Sequence, residues 1–437
     1  MSASIPPATS YLPPPGPTVR GRERASAAAS GLARAVQRVT AAPLGAHQSA
    51  VVRIGVSATC LLFLLRELPH RHELYGPDGP WSWGMAERLI ANNGAFTVLM
   101  WSDSAIWFEA VYTLTLVSAV LLMIGWRTRG TSVLFMVGVL SLQNRSIFMG
   151  DGGDNVIHLM ALYLVLTRCA RVWSLDARRA ARDEARVAGG ERPARDVAGP
   201  VLWAVLGGFL LPATVMGGLG GTWWLPSLLW VLWLGSGVRW ALGRYAPGHE
   251  LRVLLDVVAH LAHNAALFVI MAEVCLIYAT AGWYKIQGSR WQDGTALYYP
   301  LKLEYFAPWP GLSGFMASSA LLVMVLTYLT VIVQVAFPFT LFNRRVKNVL
   351  LVLMIGEHAG IAVLLGLPFF SMAMIAADAV FLPTAFLVWL GSRVTRARRQ
   401  LFPRTGGKLS LPGQRRPRTT GAEAARTAEG DGHTLMR

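Results

Sequence analysis

Ten apolar segments recur along this chain of 437 residues, at lengths close to those needed to cross a lipid bilayer as a helix. Such a helix takes about 20 mostly apolar residues, because the hydrocarbon core is about 30 Å thick. Backbone in that core must satisfy its own hydrogen bonds, which favours helices. The segments lie at 50–65, 105–125, 131–149, 154–173, 200–220, 223–242, 262–284, 315–340, 348–367 and 370–391. The sequence therefore predicts an all-α polytopic membrane protein with about ten transmembrane helices.

The composition points to lipid as the main surrounding medium. Only 15% of the residues are charged and 54% are hydrophobic, whereas a soluble domain carries about a quarter charged residues. The net charge of +16 could suggest a nucleic-acid partner. However, the basic residues lie between and beyond the apolar segments and form no basic domain, so we expect a bilayer and no nucleic acid.

The positions of the basic residues predict an orientation. With a cytoplasmic N-terminus and ten crossings, most of the 40 Lys and Arg fall on the cytoplasmic side. This asymmetry is what the positive-inside rule describes. It predicts a multi-pass protein of the cell membrane with both termini in the cytoplasm. The outer side receives Arg66, Arg71, Arg88, Arg145, Lys285, Arg290 and Lys302.

Two polar segments flank the apolar region. Residues 1–49 are rich in Pro, Ala, Ser and Arg, and residues 393–437 are rich in Arg, Thr, Gly and Pro. Both compositions predict disordered basic cytoplasmic segments on either side of a transmembrane domain at 50–392. The tail could bind anionic lipid or serve only as a topology anchor.

The first long outer loop, 66–104, mixes apolar and polar residues at helical spacing around Trp81, Trp83 and Trp101. This pattern predicts a short helix lying in the membrane interface. A lid that packs over the bundle explains the same pattern.

The second long outer loop, 279–312, contains the residue of greatest chemical interest. Lys285 follows a continuous apolar stretch, so it is expected to lose hydration, which favours the neutral amine. A neutral amine can act as a general base. The alternative is an interfacial lysine that extends its ammonium group to water.

Other polar residues lie at membrane depth, where they are costly and often functional. Asp256, His260 and His263 share a helix face at a possible metal spacing, but the start of an amphipathic helix explains them more simply, and no metal is expected. The remaining polar residues are Asp154, Asn155, His158, Glu109, Glu273, Glu357, His358 and Asp378.

The segment 281–299, AGWYKIQGSRWQDGTALYY, resembles the signature segment of the HTTM (horizontally transferred transmembrane) domain family. That family is related to the membrane part of vitamin K-dependent γ-carboxylase. The segments 358–383 and 145–166 resemble its last helices and its central helix start, and the similarity spans roughly residues 50–392.

The resemblance implies a reduced quinone, vitamin K or menaquinol, as cofactor and Lys285 as the base that deprotonates it. It also implies that His358, Asp154 and Asn155 belong to the catalytic site, and that Tyr284 and Trp291 bind the cofactor. Oxidation of the quinol would drive carboxylation of a peptide or small-molecule substrate at the outer membrane face. The site must be dry, because water would quench the reactive species.

Alternatives to this activity stay open. After residue 392 the sequence predicts only a basic tail, where the animal carboxylases have an extramembrane domain that binds the substrate peptide. A second hypothesis is therefore a non-catalytic membrane protein that assists peptide maturation, export or immunity. A transporter is a third, without an inverted repeat to support it.

Overall fold

The computed structural model describes residues 30–401 except 32, 193, 195, 220, 222 and 247, and of residue 399 only the backbone. Residues 1–29 and 32 of the predicted segment 1–49, and residues 402–437 of the predicted tail, lie outside this part. Every secondary-structure element of the described part is helical, so the all-α prediction is confirmed. The longer helices are α1 Ala46–Glu67, α2 Trp83–Asn93, α3 Ala105–Ile124, α4 Thr128–Arg145, α5 Gly152–Leu166, α6 Leu175–Ala188, α7 Ala198–Val215, α8 Trp224–Tyr245, α9 Glu250–Gln287, α10 Pro310–Ser318, α11 Ala320–Ala336, α12 Arg344–Leu364, α13 Pro368–Asp378 and α14 Thr384–Leu401.

By helix length and hydropathy, the chain is a multi-pass membrane protein. Within the described residues, seven helices are long and apolar enough to cross a bilayer, namely α1, α3, α7, α8, α9, α11 and α12. The bent pair α13 and α14 makes an eighth when it is counted as one span. The two other predicted spans form α4 and α5. Helix α5 has only 15 residues, and α4 ends in the polar sequence Gln143-Asn144-Arg145.

Three helix boundaries differ from the predicted segments. The segment 315–340 breaks at Ser319, whose hydroxyl accepts a hydrogen bond from the Leu322 amide and caps α11. The segment 370–391 breaks before α14 at Pro383, which has no amide hydrogen to continue a helix. Helix α9 has 38 residues, about 57 Å at 1.5 Å per residue, and so exceeds the thickness of the hydrocarbon core.

The centre of the bundle is formed by α1, α3, α4, α5 and α13. Helix α1 packs against α3 and α13, while α9 connects α5 to α11. A Cβ atom built on Gly55 of α1 would lie 2.5 Å from the Cβ of Ala376 on α13. Small residues at a crossing let helix backbones approach closely, as membrane helices require. Residues from Trp389 onward belong to a second unit, in which the Arg393 guanidinium lies 5.4 Å from the Trp389 ring centroid.

Arg53 lies fully buried within the first apolar segment and bonds only to backbone carbonyls among its described contacts. Its Nη1 donates to the Leu122 and Met123 carbonyls in the last turn of α3, the latter at 2.7 Å. Its other nitrogens donate to Cys169 at 3.3 Å and to Trp173 at 2.9 Å. These bonds satisfy helix-end carbonyls, so the charge does not interrupt α1.

The polar end of α4 holds the loop 66–104 against the bundle through side-chain hydrogen bonds. Arg145 Nη2 donates to the carbonyls of Gly76 at 3.1 Å and Trp81 at 3.0 Å. Asn144 Nδ2 donates to the Phe96 carbonyl at 2.8 Å. The short helix expected in this loop is α2, and these bonds make the loop a cover packed on the bundle end.

Helices α7 and α8 pair through a reciprocal tryptophan contact. The rings of Trp203 and Trp233 stack at 4.2 Å, and each indole nitrogen donates to the other residue's carbonyl, at 2.8 and 2.9 Å. Each ring lies over a glycine of the opposite helix, Gly237 and Gly207 respectively. Only 11% of the most apolar 18-residue stretch of each helix is buried. This pair of helices is therefore mainly exposed to the medium around the protein.

Candidate active site

A chain of hydrogen bonds joins Lys285 of α9, Gln334 of α11 and Glu357 of α12. The Lys285 Nζ donates to Gln334 Oε1 at 2.8 Å, and Gln334 Nε2 donates to Glu357 Oε1 at 2.6 Å. Lysine only donates and an ionised carboxylate only accepts, so the two partners fix the orientation of the amide. Gln334 is 5% exposed. A neutral amide thus separates the ammonium group from the carboxylate.

The ring of Trp291 completes the surroundings of Lys285. Its centroid lies 5.2 Å from Nζ, within the range of a cation–π contact. A short turn places the ring, because the Trp291 amide donates to the Gly288 carbonyl at 3.0 Å. The loop is ordered further by Thr295, whose side-chain and backbone hydrogen bonds lower the pKa of Asp293.

A second hydrogen-bonded group lies deeper, among α9, α12 and α13. The Tyr278 hydroxyl donates to Asp378 Oδ2 at 2.9 Å and lies 2.9 Å from His358 Nε2. Because the single hydroxyl proton points to Asp378, His358 must donate from Nε2. All three side chains are at most 2% exposed. Buried polar groups of this kind are costly unless their hydrogen bonds are satisfied.

Two buried acceptor atoms of this group are not used in its hydrogen bonds. His358 Nδ1 and Asp378 Oδ1 are buried and have no hydrogen-bond partner within the described part of the chain. With the tautomer fixed as above, the neutral imidazole can accept at Nδ1. Both positions therefore suit a ligand that donates hydrogen bonds.

The two groups share their helices. Tyr278 and Lys285 lie seven residues apart on one face of α9, and Glu357 and His358 are adjacent on α12. Gly282 lies between them on α9, where an added Cβ would be 2.6 Å from Val335 Cγ2 of α11. The missing side chain lets α11 approach, and this brings Gln334 within reach of Lys285.

Aromatic rings border the deeper group. The Phe337 ring packs on Tyr278 with centroids 6.1 Å apart, and Phe370 packs on His358 at 5.6 Å. Phe337 is fully buried. Apolar rings at these positions exclude water from the polar atoms and strengthen their interactions.

The residues predicted at the start of α5 lie on the other side of Phe370. A Cβ on Gly153 would be 2.7 Å from the Phe370 Cα, so α5 begins directly against α13. Asp154 Oδ2 accepts from the Asp151 amide at 2.9 Å in a capping box, and Asn155 is exposed. Both thus belong to a helix start and form no described hydrogen bond with Lys285 or His358.

Asp154 also borders a small cavity of about 30 Å³, together with Cys60, Tyr75 and Gln143. That volume holds about two water molecules. Tyr284, expected to bind cofactor, is 75% exposed and stands apart from both polar groups. Of the predicted site residues, the structure therefore brings Lys285 and Trp291 together and places His358 in the neighbouring group.

Tyr278 and Gln334 were not predicted as site residues. The spacing of Tyr278, two helical turns before Lys285, could have indicated it. Gln334 is the single amide in an otherwise apolar helix, ALLVMVLTYLTVIVQVA, and this was the available signal.

The possible metal spacing on α9 has another explanation. His260 Nδ1 lies 2.9 Å from the Thr40 carbonyl, and His263 accepts from the Arg168 amide and bonds to the Leu44 carbonyl. Asp256 pairs with Arg168. Among the described residues, no group of three His, Cys, Asp or Glu could hold a metal ion.

Comparisons of the chain with protein-family models, with curated proteins and with solved structures find no match. The HTTM resemblance therefore stays a proposal.

Proposed function

We propose that the chain is a membrane-embedded enzyme of HTTM type that uses a reduced quinone, with Lys285 as the base. The observation that carries the proposal is the inward position of Lys285, bonded to the neutral Gln334 amide at 2.8 Å. A lysine serving only as an interfacial anchor would extend its ammonium group to water. An adjacent carboxylate would hold the proton on the amine, whereas an amide oxygen holds it less firmly.

Glu357 has a defined role in this arrangement. Its carboxylate is one amide away from Lys285, so it stabilises the ammonium that forms when Lys285 takes up a proton. Gln334 orients both groups. Lys285 thus takes a proton at Nζ while its countercharge is already in place.

The unpartnered acceptors favour a reduced quinone over an oxidised one. A quinol presents hydroxyl donors, whereas a quinone presents only acceptors. His358 Nδ1 and Asp378 Oδ1 would hold quinol hydroxyls, and Tyr278 keeps both side chains oriented. When bound, the quinol supplies the reducing equivalents for a reaction with oxygen, as the family resemblance implies. Phe337 and Phe370 keep water away from the groups that hold it.

The proposal includes the finer topology. Ten crossings with both termini in the cytoplasm would count α4 and α5 as spans, α5 being short and apolar. Helix α2 and the loop around it would then lie at the outer interface. This side is also where Lys285 reaches the end of α9.

The alternative is a non-catalytic membrane protein that assists peptide maturation or export. It needs neither a base nor unpartnered acceptors in the interior. A single measurement separates the two, since only the enzyme consumes quinol.

The test is formation of quinone epoxide by the purified protein in lipid discs, supplied with oxygen and with reduced vitamin K or menaquinol. This assay does not require knowing the carboxylated substrate. Lys285→Ala and Lys285→Arg should abolish turnover. Lys302→Ala, at the end of the short helix Tyr298–Lys302 in the same loop, is the matched control and should keep it.

Thermal unfolding of each variant shows whether it is folded. Epoxide formation lost in both Lys285 variants and retained in Lys302→Ala supports the base. Turnover that survives in Lys285→Ala rejects Lys285 as the base. No epoxide from the wild-type chain with either quinol rejects the enzyme and leaves the non-catalytic function.

A further inference from the structure

Five arginines from four segments gather at one end of the bundle, where α4 and α9 begin and where α5 and α8 end. Arg129 lies at the start of α4, Arg168 and Arg171 follow α5, Arg239 lies in the last turns of α8, and Arg252 opens α9. We refer to these five residues as the arginine cluster.

One carboxylate lies within the arginine cluster. Asp256 Oδ1 accepts from Arg168 Nη2 at 2.7 Å and also from Arg239 Nη1. The side chain of Arg168 is 10% exposed and that of Arg239 is 29% exposed. Two partly buried guanidinium groups therefore share a single carboxylate.

The remaining arginines add positive charge around the pairs of Asp256 with Arg168 and Arg239. The charges of Arg129, Arg168, Arg171 and Arg252 all act repulsively on Arg239. Arg168 and Arg171 act in the same way on Arg129. Like charges brought this close raise the energy of the folded protein unless an anion balances them.

Two further carboxylates act on the edge of the cluster. The negative charge of Asp176 attracts Arg129, and that of Glu184 attracts Arg171. Asp176 is already engaged, since it accepts from the amides of Arg127 and Thr128 at 2.9 Å. Even with Arg252 left out of the balance, four arginines against these three carboxylates leave the cluster with a positive charge.

We propose that the arginine cluster binds a phosphate-bearing anion, either the headgroup of a diphosphate lipid or a free phosphate compound. Guanidinium groups match phosphate oxygens in a two-pronged geometry. The ends of four helices meet here, and basic pockets between membrane helices suit anionic headgroups. The inference stands independently of the proposed quinol chemistry.

The positive-inside rule alone does not account for the arrangement. That rule concerns which loops carry Lys and Arg and does not require their side chains to converge. Helix α6 shows the difference, because Arg178 and Arg186 there are exposed along one charged helix and take no part in the cluster.

The test measures binding to the full chain in a neutral detergent. The probes are cardiolipin, zwitterionic phosphatidylcholine, and sodium pyrophosphate against sodium chloride at the same ionic strength. Arg129→Gln/Arg171→Gln removes two cluster charges while leaving the Asp256 pairs intact. Arg178→Gln/Arg186→Gln removes the same charge from α6 and is the control. Native mass spectrometry gives lipid occupancy, and thermal unfolding gives the stabilisation.

Cardiolipin or pyrophosphate should bind the wild-type chain and raise its melting temperature, with an affinity about tenfold or more lower in the Arg129/Arg171 variant and unchanged in the control. Binding of cardiolipin alone identifies a lipid headgroup as the anion, and binding of pyrophosphate identifies a soluble one. Equal losses in both double variants, or no preference over phosphatidylcholine and chloride, would overturn the site.

Discussion

The Nζ of Lys285 lies 2.8 Å from Oε1 of Gln334, and the residues stand on different helices, α9 and α11. The contact is possible because Gly282, one turn before Lys285, leaves room for α11. The same Gln334 amide donates from Nε2 to Glu357 Oε1 at 2.6 Å. This arrangement gives the lysine a neutral neighbour and a distant countercharge, which is the electrostatic setting that a base requires.

The first prediction tests that neutral neighbour. Gln334→Glu places a carboxylate directly on Lys285, so the ammonium becomes firmly held and epoxide formation should fall by about a hundredfold or more. Gln334→Met removes the contact while keeping the volume. It should lower activity less, because the amine stays buried but loses its orientation.

Turnover and melting temperature are measured together on both variants. Gln334→Glu should keep a melting temperature near that of the wild type, since its new ion pair with Lys285 offsets the lost hydrogen bond to Glu357 and the repulsion between the two carboxyl groups. Activity as high as in the wild-type chain would show that the Lys285 amine does not need a neutral partner.

The prediction of helices from sequence succeeded where length and hydropathy decide the outcome. Segments such as 105–125 and 223–242 appear as α3 and α8 with ends shifted by a few residues. It failed where one residue sets a boundary, as at Ser319, which caps α11 within a mostly apolar segment. Arg53 shows the same limit, since its partners Leu122 and Trp173 are distant in sequence.

The candidate site was predicted only in part, for a similar reason. Lys285 and His358 could be chosen because charged and imidazole side chains are rare at membrane depth. Gln334 contacts Lys285 only through the packing of α9 on α11, and no local pattern encodes that pairing. Asp154 was expected at the same site, but the start of α5 places it beyond Phe370.

The second prediction concerns the buried hydroxyl of Tyr278. Tyr278→Phe leaves Asp378 Oδ2 and His358 Nε2 without their partner in a site excluded from water. Each of these two unsatisfied groups costs about 1–3 kcal/mol, so the free energy of unfolding should fall by about 2–6 kcal/mol.

Tyr284→Phe is the matched control, because the Tyr284 side chain is 75% exposed. Its free energy of unfolding should stay within about 0.5 kcal/mol of the wild type. Reversible unfolding in mixed detergent, followed by circular dichroism, measures both variants. Equal stability of the two would show that the Tyr278 hydroxyl contributes nothing to the fold.

The third prediction concerns the approach of α9 to α11. A Cβ on Gly282 would stand 2.6 Å from Val335 Cγ2, so Gly282→Leu must push the helices apart. Overpacking of this kind costs about 1–3 kcal/mol, and it also separates Lys285 from Gln334. Epoxide formation by Gly282→Leu should therefore fall more than its loss of stability explains. The activity of Gly282→Ala should lie between that of Gly282→Leu and that of the wild type.

Gly360 provides the control for this series, since a Cβ there meets no atom within 4 Å among the described residues. Gly360→Ala should retain both activity and melting temperature. A Gly282→Leu variant with wild-type turnover would disprove the need for close approach at this crossing.

The last prediction concerns Arg53, whose guanidinium joins the end of α3 to the residues after α5. Arg53→Met keeps an unbranched apolar side chain but leaves the carbonyls of Met123 and Trp173 without their donor. The variant also avoids the cost of burying a charged guanidinium group, and this offsets part of the lost hydrogen-bond energy. We therefore expect a decrease of about 3 kcal/mol in the free energy of unfolding.

Arg53→Lys separates charge from geometry. A lysine keeps the positive charge, but its single ammonium cannot reach carbonyls on both sides as the planar guanidinium does. Its stability should lie between those of the wild type and Arg53→Met. Arg88→Met, on the exposed side of α2, removes a charge without buried contacts and should change stability by less than about 0.5 kcal/mol. If Arg53→Lys were as stable as the wild type, the charge alone, and not the fork of donors, would hold this end of the bundle together.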